Sequence, residues 1–235
     1  MEKNVNKKLI KYNVSNGVVK SPRSHAFTKG YLQKATTIEQ LINDIDSKKC
    51  IWPVVAKNGQ NHRKSENVLG TEIVILNISE YESFDEVVKT FADSAVYIYE
   101  VESETGLRIR AVLVLDQFLN CIELEYFLRI AQVEFAHNHR CIDAAHAYIN
   151  EHIITRYILS ESNRFKVSDL FNKYVFDSNF NSSFESKWNI DDQGSFSEFK
   201  NEVIRKYSLS PALNTPVSVS RNVYLIEILQ NNKVA

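Results

Sequence analysis

The segment from Thr71 to Asp116 constrains the fold most, because apolar runs and an amphipathic stretch alternate along it. It reads TEIVILNIS, then the acidic segment ESFDEVVKTFADS, and then AVYIYEVESETGLRIRAVLVLD. Unbroken apolar runs are typical of strands covered on both faces, and the polar turn Glu102–Gly106 favours an antiparallel hairpin. We therefore predict a β-α-β-β unit, made of strands Thr71–Ile78, Val96–Val101 and Leu107–Leu115 and a helix Phe84–Ala92 capped by Ser83. Chemistry is expected where the first strand ends and at the turn.

The composition bounds the number of domains and the compartment. The chain has 235 residues, 44% of them apolar, which suits one large domain with a small appendage. Its net charge is −1, so binding of nucleic acid would need a local basic patch. The three cysteines are widely spaced, which argues against a disulfide framework. Because no signal-peptide pattern and no apolar run of about 20 residues is present, we expect a cytoplasmic protein that does not enter a membrane.

Other segments before the central unit have recognisable patterns. Residues 1–35 are rich in lysine and are predicted to form a basic arm with one or two short strands. A helix capped by Thr36 or Thr37 is expected to follow. In the next strand, CIWPVVA, Pro53 indicates an edge position or a kink. The stretch KNGQNHRKSEN at residues 57–67 is a predicted turn with a cluster of basic residues.

After the central unit we predict a helix over Ile122–Ala136 and a helix-like segment EHIITRYILS. Beyond Ser160 the composition shifts to Asn, Ser and Phe, which predicts a loop-rich but packed extension. That extension should contain a helix over Ser195–Tyr207 and terminal strands within Val217–Leu229. Together the patterns predict an α+β (α/β) fold, with helices packed on a mixed or mainly antiparallel sheet. The predicted division is an arm (1–35), a core (36–160) and a C-terminal extension packed on the core (161–235).

The order of these motifs resembles the archaeo-eukaryotic primase superfamily, in particular the short primase-polymerase domains of phages and plasmids. The resemblance covers roughly residues 35–160 and is carried by Leu76-Asn77-Ile78-Ser79, by RIRAVLVLD and by Cys141-Ile142-Asp143-Ala144-Ala145-His146. In that family the first strand ends in a DxD pair that binds divalent metal, and the turn after the next strand carries an SxH motif that contacts nucleotide phosphates. A later Asp completes the metal site.

This sequence departs from the family pattern at the positions that matter most. The DxD pair falls on Asn77 and Ser79, which have no carboxylate, whereas two-metal phosphoryl transfer needs carboxylates around Mg²⁺ or Mn²⁺. The SxH motif falls within Tyr99–Glu104, which has no histidine. Only Asp143 is a possible remnant of the metal site, and the preferred interpretation of Asp143 is as the N-cap of a helix AAHAYIN. The resemblance therefore implies a degenerate active site with no catalytic residue and no cofactor.

Several basic residues are candidates for contacts with nucleic-acid phosphate. Arg108 and Arg110 share a strand face by their spacing, and the planar guanidinium suits phosphate. Tyr97 and Tyr99 on the preceding strand are candidates for stacking on single-stranded bases. Ordinary decoration of strands explains the same residues equally well. The predicted phosphate-binding residues are Arg63, Lys64, Arg108, Arg110 and Arg140.

The segment HNHRC gives a weak indication of a metal site. His137, His139 and Cys141 alternate along it, and both residue types bind zinc. Structural zinc sites usually draw on closely spaced pairs of cysteines or histidines, so the preferred interpretation is a polar loop. In that loop His146 would be buried, and His137 and His139 would lie on the surface.

Three functional hypotheses follow. The leading one is a catalytically degenerate primase-like protein of a phage, plasmid or other mobile element, which binds DNA or RNA, single strands included, or a replication protein. The first alternative is an active primase or nucleotidyltransferase that uses Mg²⁺ or Mn²⁺ with ligands moved to Asp143, Asp116 or the glutamates of residues 100–104. The second alternative is a protein-interaction or inhibitor module that uses residues 165–207 and binds no nucleic acid.

Overall fold

The computed structural model describes residues 9–19, 29–57, 62–78, 81, 83–103, 106–138, 143–150, 152–185 and 195–211. The strands are β1 (Ile10–Val18), β2 (Tyr31–Thr36), β3 (Lys49–Trp52), β4 (Val55–Ala56), β5 (Val68–Ile78), β6 (Ala95–Ser103), β7 (Gly106–Asn120) and β8 (His152–Ile158). The helices are α1 (Ile38–Asp46), α2 (Phe84–Thr90), α3 (Cys121–Glu134), α4 (Val167–Tyr174), α5 (Ser178–Glu185) and α6 (Phe196–Tyr207). These strands pair antiparallel with one another, so the predicted α+β class with a mainly antiparallel sheet is confirmed.

The strands form two sheets. The larger has the order β4-β5-β7-β6-β8, and the smaller has the order β2-β1-β3. The predicted hairpin of β6 and β7 is confirmed, and its last pair places Ser103 opposite Gly106. The long register of β5 with β7 runs to Ile78, which lies opposite Ile109. β4 pairs only with the start of β5, at Val68 and Gly70, so the end of β5 has β7 on one side and a bridge to His137 on the other.

The apolar run of β5 serves two cores, as its unbroken pattern predicts. Ile73 and Ile75 pack with β1, α1 and β3, while Val74 and Leu76 pack with the helices on the opposite face. Because successive side chains of a strand point to opposite faces, a run that is apolar at every position needs a cover on both sides. The smaller sheet and α1 provide one cover, and the helices, above all α3, provide the other.

Helix starts follow the predicted capping chemistry closely. Thr37 caps α1 through a hydrogen bond from the Gln40 amide, and Ser83 caps α2 in the same way. The start of α3 is a reciprocal capping box between Asn120 and Glu123. The predicted helix Ser195–Tyr207 is present as α6, with Ser195 as its cap.

Two predictions on the strands need correction or refinement. The run CIWPVVA is divided at Pro53 into β3 and β4, which belong to different sheets, because proline ends the hydrogen-bonded ladder there. The helix-like assignment of EHIITRYILS is wrong, since residues 152–158 form β8 at the edge of the large sheet. Its consecutive β-branched residues favour a strand, and β6 offers an open edge for pairing.

The helix prediction after Asp143 is also wrong. Residues 143–145 form a turn, and Tyr148 then bridges to Ile51 of β3.

The stretch that was expected to be loop-rich contains α4 and α5. Asp177 caps α5 by accepting from the amides of Asn179 and Phe180. The predicted strands within Val217–Leu229 lie outside the described residues.

Aromatic side chains hold the last three helices against α3. The buried ring of Tyr126 in α3 lies 5.2–6.5 Å from five phenylalanine rings of these helices, namely Phe171, Phe180, Phe184, Phe196 and Phe199. Lys206 of α6 adds an ion pair of 2.7 Å to the buried carboxylate of Glu123. The phenylalanines that were prominent in the sequence therefore face a shared core. No helix in the described ranges has the length and apolar character needed to span a membrane.

Asp44 joins α1 to the smaller sheet. Its buried carboxylate accepts a hydrogen bond from the Tyr12 hydroxyl (2.7 Å) and contacts the ammonium groups of Lys34 (2.5 Å) and Lys49 (2.7 Å). Burial acts to raise the pKa of Asp44, but the hydrogen bonds from Lys34, Lys49 and Tyr12 outweigh it and hold the pKa below its ordinary value.

Replacing Asp44 by asparagine is expected to lower the free energy of unfolding by about 2–4 kcal/mol, because it leaves both lysines and Tyr12 without a charged acceptor. The wild-type contribution should be present above the ordinary carboxyl pKa and be lost as the pH falls through the lower folded value. Urea unfolding between neutral pH and pH about 3 measures both effects. Glu39→Gln on the exposed side of α1 is the matched control, and equal losses in the two variants would contradict this role of Asp44.

Candidate functional site

Asn77 lies near the end of β5 with only 7% of its surface exposed. It sits directly opposite Arg110 of β7, which in turn lies opposite Tyr99 of β6. Residues opposite one another in an antiparallel ladder point to the same face, so these three side chains form a row across the sheet. The row shares the face of Ile75, which is the face covered by α1 and the smaller sheet. The DxD position of the family resemblance and a predicted phosphate-binding arginine are therefore immediate neighbours.

His137 closes the end of β5. Its Nδ1 accepts a hydrogen bond from the Asn77 amide (2.9 Å), and the Asn138 amide donates to the Asn77 carbonyl oxygen (2.8 Å). An accepting Nδ1 places the proton of the neutral imidazole on Nε2. The expectation of a surface position for His137 is wrong, since its exposure is 3%. Its buried position follows from this pairing with the strand backbone.

Four of the predicted site residues lie outside the described residues: Ser79, His139, Arg140 and Cys141. Within the described part of the chain, no group of three or more His, Cys, Asp or Glu side chains is placed to hold a metal ion. The zinc prediction for His137, His139 and Cys141 accordingly stays a prediction.

Arg110 is a buried cation, with 8% of its surface exposed. One terminal nitrogen donates to the Ile149 carbonyl oxygen (2.7 Å) and to Oδ1 of Asn150 (2.8 Å). The guanidinium carbon lies 5.3 Å from the ring centre of Tyr148 and 5.8 Å from that of Tyr99. Among the described residues no carboxylate forms an ion pair with it, so neutral oxygens and aromatic faces stabilise its charge.

Asn150 is fully buried and fixes the direction of Arg110. Its Oδ1 accepts from Arg110 and from the Tyr99 hydroxyl (2.7 Å), and its Nδ2 donates to the carbonyl oxygen of Lys49 (2.8 Å). One amide thus connects β6 and β7 of the large sheet with β3 of the small sheet. Sequence reasoning missed Asn150, because a lone asparagine before a strand gives no local sign of such a role.

We define the basic loop as residues 57–67, of which 58–61 lie outside the described residues. The loop is closed by a hydrogen bond from the Lys57 amide to the Asn67 carbonyl oxygen (2.8 Å) and by one from Asn67 Nδ2 to the His62 carbonyl oxygen (3.0 Å). Arg63 donates to the carbonyl oxygen of Ala145 (2.7 Å). These contacts hold the loop against the turn that begins at Asp143.

Asp143 serves that turn. One carboxylate oxygen, Oδ1, accepts from the Ala145 amide (2.7 Å) and from the hydroxyl of Ser65 in the basic loop (2.6 Å). The capping role predicted for Asp143 thus takes the form of a turn cap. Asp116 lies elsewhere, where it accepts from the Val167 amide at the start of α4. It is seven residues along β7 from the partner of Glu100, or about 24 Å, so these carboxylates are not gathered in one site.

The pKa of His146 reflects the charged groups that act on its imidazole. Burial is the largest cause that lowers the pKa of His146 to about 4, followed by the positive charges of Arg110 and Arg63. The effect of Asp143 is opposite and smaller. The charges of Arg63, Arg110, His137 and Asp143 therefore all act on one imidazole. The remaining two candidates differ: Lys64 is exposed and pairs with Glu66, and Arg108 is half-buried opposite Val101.

The chemistry of this site suits an anion better than a divalent cation. Mg²⁺ and Mn²⁺ prefer carboxylate oxygens, whereas the row on the sheet offers an amide and a guanidinium. The one carboxylate that acts on His146, Asp143, already accepts two hydrogen bonds through Oδ1. The described residues therefore do not fit the metal that the family resemblance implies.

No family model matches the chain, and no curated protein matches it in sequence. Among solved structures, it is similar to the AEP domain (PP-N190) of the primase-polymerase (PrimPol) from cyanophage S-2L. That match has a TM-score of 0.43 and 4% sequence identity, and it covers 69% of this chain and 87% of that chain.

Replacing Arg110 by methionine is expected to raise the pKa of His146 from about 4 towards its ordinary value of 6.5, because the positive charge that lowers this pKa most is removed. Burial remains, so the pKa should stay below the ordinary value. An NMR titration of the His146 ring protons measures the change. Arg156→Met is the matched control, because Arg156 lies on β8 and forms an exposed ion pair with Asp46 of α1. This variant should leave the pKa of His146 unchanged. An unaltered pKa in Arg110→Met would contradict the proximity of the two groups.

Proposed function

We propose that this chain is a catalytically degenerate, primase-like protein that binds DNA or RNA. Two lines of reasoning support the proposal. The order of sequence motifs resembles the primase-polymerases of phages and plasmids, which also suggests an origin in a mobile element. The residue chemistry at the end of β5 opposes the metal-dependent reaction of that family.

The observation that carries the proposal is the pairing of Asn77 with Arg110. A functional DxD motif would put a carboxylate at this position to hold Mg²⁺. A divalent cation beside the fixed guanidinium would be repelled, and the amide of Asn77 supplies no compensating charge. The same position is clamped through its backbone by His137 and Asn138, so Asn77 has a defined structural role.

The basic loop is the proposed contact surface for nucleic acid. Its described cations are Lys57, Arg63 and Lys64, and Lys57 and Lys64 are exposed. Arg63 is half-buried, and its hydrogen bond to the Ala145 carbonyl oxygen fixes its position. Cations that are held in place before binding lose less freedom when they meet phosphate. The near-neutral net charge of the chain makes such a local patch the main electrostatic attraction.

The 235-residue chain is expected to incorporate no nucleotide on primed or unprimed single-stranded templates with either Mg²⁺ or Mn²⁺, because the carboxylate pair is missing. Extension of a labelled primer and synthesis of new primers, resolved on gels, measure this. Robust metal-dependent incorporation would overturn the claim of degeneracy. If Asp143→Ala abolished such activity without changing the unfolding midpoint, Asp143 would be a metal ligand and the enzyme alternative would hold.

Substitution of Lys64 by glutamine is expected to weaken binding of a single-stranded oligonucleotide about threefold to tenfold at low salt, since one phosphate contact is lost. Fluorescence anisotropy over a range of salt concentrations measures the affinity and its salt dependence. Lys166→Gln, an exposed lysine before α4, removes the same charge on another surface and should have little effect. Equal losses in both variants would indicate general electrostatic attraction, and binding of a protein partner without any nucleic-acid affinity would favour the interaction module.

A further inference from the structure

We propose that the outer edge of β8 pairs with the same strand of a second copy of this chain, which joins two large sheets in an antiparallel, two-fold dimer. This inference goes beyond the proposed nucleic-acid binding and does not depend on it. β8 is an edge strand of the large sheet, with β6 on its inner side. Among the described residues, no strand pairs with its outer side. An edge of this kind is a template on which another strand can form a hydrogen-bonded ladder.

Apolar side chains are exposed along this edge. Ile154, Tyr157 and Ile158 are 56%, 50% and 59% exposed. Large apolar side chains gathered beside an uncovered strand edge indicate a contact surface for protein.

The tyrosines of the adjacent strand β6 are different. Tyr97 and Tyr99 are fully buried and stack on each other, with ring centres 5.2 Å apart. They offer no surface to a base in the folded protein, so the prediction that they stack on single-stranded bases is wrong. Tyr157 is therefore the tyrosine of these two strands that a partner can reach.

The backbone direction of β8 follows from its pairing with β6. The Leu159 amide donates to the Val96 carbonyl oxygen (3.0 Å), so the backbone groups of Leu159 point towards β6. Successive residues of an antiparallel strand point these groups to opposite sides. The N–H and C=O groups of Ile158 and Arg156 therefore point outward, where a second copy would meet them.

The regular part of the strand fixes the register. The pairing with β6 shifts between Thr155 and Ile153, so the regular stretch runs from Thr155 to Leu159 and is centred on Tyr157. Two-fold pairing about that centre places Arg156 opposite Ile158 of the second copy, and both of these residues have outward backbone groups. Tyr157 then faces its own equivalent in a non-hydrogen-bonded pair, where side chains approach most closely and aromatic pairs are favourable.

The charges along the edge favour a second copy as the occupant. Arg156 is the one charged side chain in the stretch TRYIL, and its guanidinium pairs with Asp46 of α1. The Tyr97 hydroxyl also donates to Asp46, which holds this carboxylate in place. Charged side chains on an edge strand usually oppose pairing between copies, but here the charge is compensated within each copy. A register centred on Arg156 would place two arginines opposite one another, which is unfavourable.

The size of the contact sets its strength. About five residues from each copy take part, whereas an interface of standard size uses about 20–30 residues on each side. The contact therefore belongs to the weak class. We expect half of the chains to be dimeric at a concentration of roughly 10–100 µM.

Sedimentation equilibrium of the 235-residue chain from about 1 to 200 µM tests the association. The average mass is expected to rise from that of one chain towards that of two. Tyr157→Lys places two like charges opposite one another and should weaken the association at least about tenfold. Leu107→Lys is the matched control, because it introduces the same charge at an apolar side chain that is 57% exposed at the start of β7. This control should leave the association unchanged.

Cysteine cross-linking tests the register. Opposite residues of a non-hydrogen-bonded pair have Cα atoms about 4.5 Å apart, which is within the range of a disulfide. Tyr157→Cys is therefore expected to form a covalent dimer when oxidised glutathione accepts the two electrons. Thr155→Cys should not, because its two copies would lie about 14 Å apart. The wild-type chain gives the background from Cys50, Cys121 and Cys141.

Hydrogen exchange tests whether the edge is uncovered in the single chain. The amides of Arg156 and Ile158 are expected to exchange rapidly at about 1 µM and to become protected as the concentration rises. Protection that is already present at about 1 µM would show that another segment of the same chain covers the edge, and would overturn the inference.

Three further results would overturn it. They are a chain that stays monomeric up to about 200 µM, an association that survives Tyr157→Lys, and cross-linking of Thr155→Cys in place of Tyr157→Cys. Nucleic-acid affinity is measured at nanomolar protein, where the chain is expected to be monomeric. Failure of the dimer and failure of the proposed function are therefore distinguishable.

Discussion

The contact between Arg110 and Asn150 is the constraint on which the functional region depends. A guanidinium that is removed from water must find oxygen acceptors or aromatic faces, since an unsatisfied buried charge is very costly. Asn150 and the Ile149 carbonyl oxygen accept from one terminal nitrogen and two tyrosine rings flank the group, while the buried Nε has no hydrogen-bond partner among the described residues. Because Asn150 also donates to Lys49 of β3, the solvation of one arginine ties the small sheet to the large one.

This arrangement has a direct consequence for the neighbouring position. With Arg110 fixed on β7, the residue opposite it on β5 experiences a permanent positive charge that solvent screens poorly. An aspartate at position 77 would form an ion pair with that arginine and have less charge left for a metal. The asparagine at position 77 is neutral, so it fits beside the arginine without forming an ion pair. The loss of carboxylate at this position and the burial of Arg110 are thus physically compatible, which is the basis of the proposed degeneracy.

The sequence predicted those elements whose signal is local. The unbroken apolar run of β5, the hairpin at Glu102–Gly106 and the caps at Thr37 and Ser83 are each written in a few neighbouring residues, and each is present. The assignment of β8 failed because a segment with apolar residues at both spacings fits a helix and a strand, and only the open edge of β6 decides between them. The burial of Tyr97 and Tyr99 was equally hidden, since it depends on α1 packing over that face.

The same distinction between local signals and long-range contacts applies to the candidate site. The neighbourhood of Asn77 and Arg110 depends on the pairing of β5 with β7, which the predicted β-α-β-β unit left open. The roles of His137 and Asn150 depend on contacts between residues 40 to 101 positions apart, and no sequence period encodes such contacts. The sequence predicted a capping role for Asp143, because Asp favours caps of many kinds. It did not predict the second partner of Asp143, the Ser65 hydroxyl in the basic loop.

The proposed binding and the metal-dependent catalysis of the resembled family would rest on different kinds of contact, so loss of one does not entail loss of the other. The basic loop is held largely by backbone acceptors, such as the carbonyl oxygens of Ala145 and Asn67, and these survive most substitutions. A two-metal site depends on the carboxylates of particular side chains, and a single change from Asp to Asn removes a full negative charge. A lineage that lost its metal ligands would therefore keep a cationic loop in a fixed position. Attraction to phosphate tolerates exchange between Lys and Arg far better than metal coordination tolerates loss of Asp. Such a scaffold would therefore retain its attraction to phosphate.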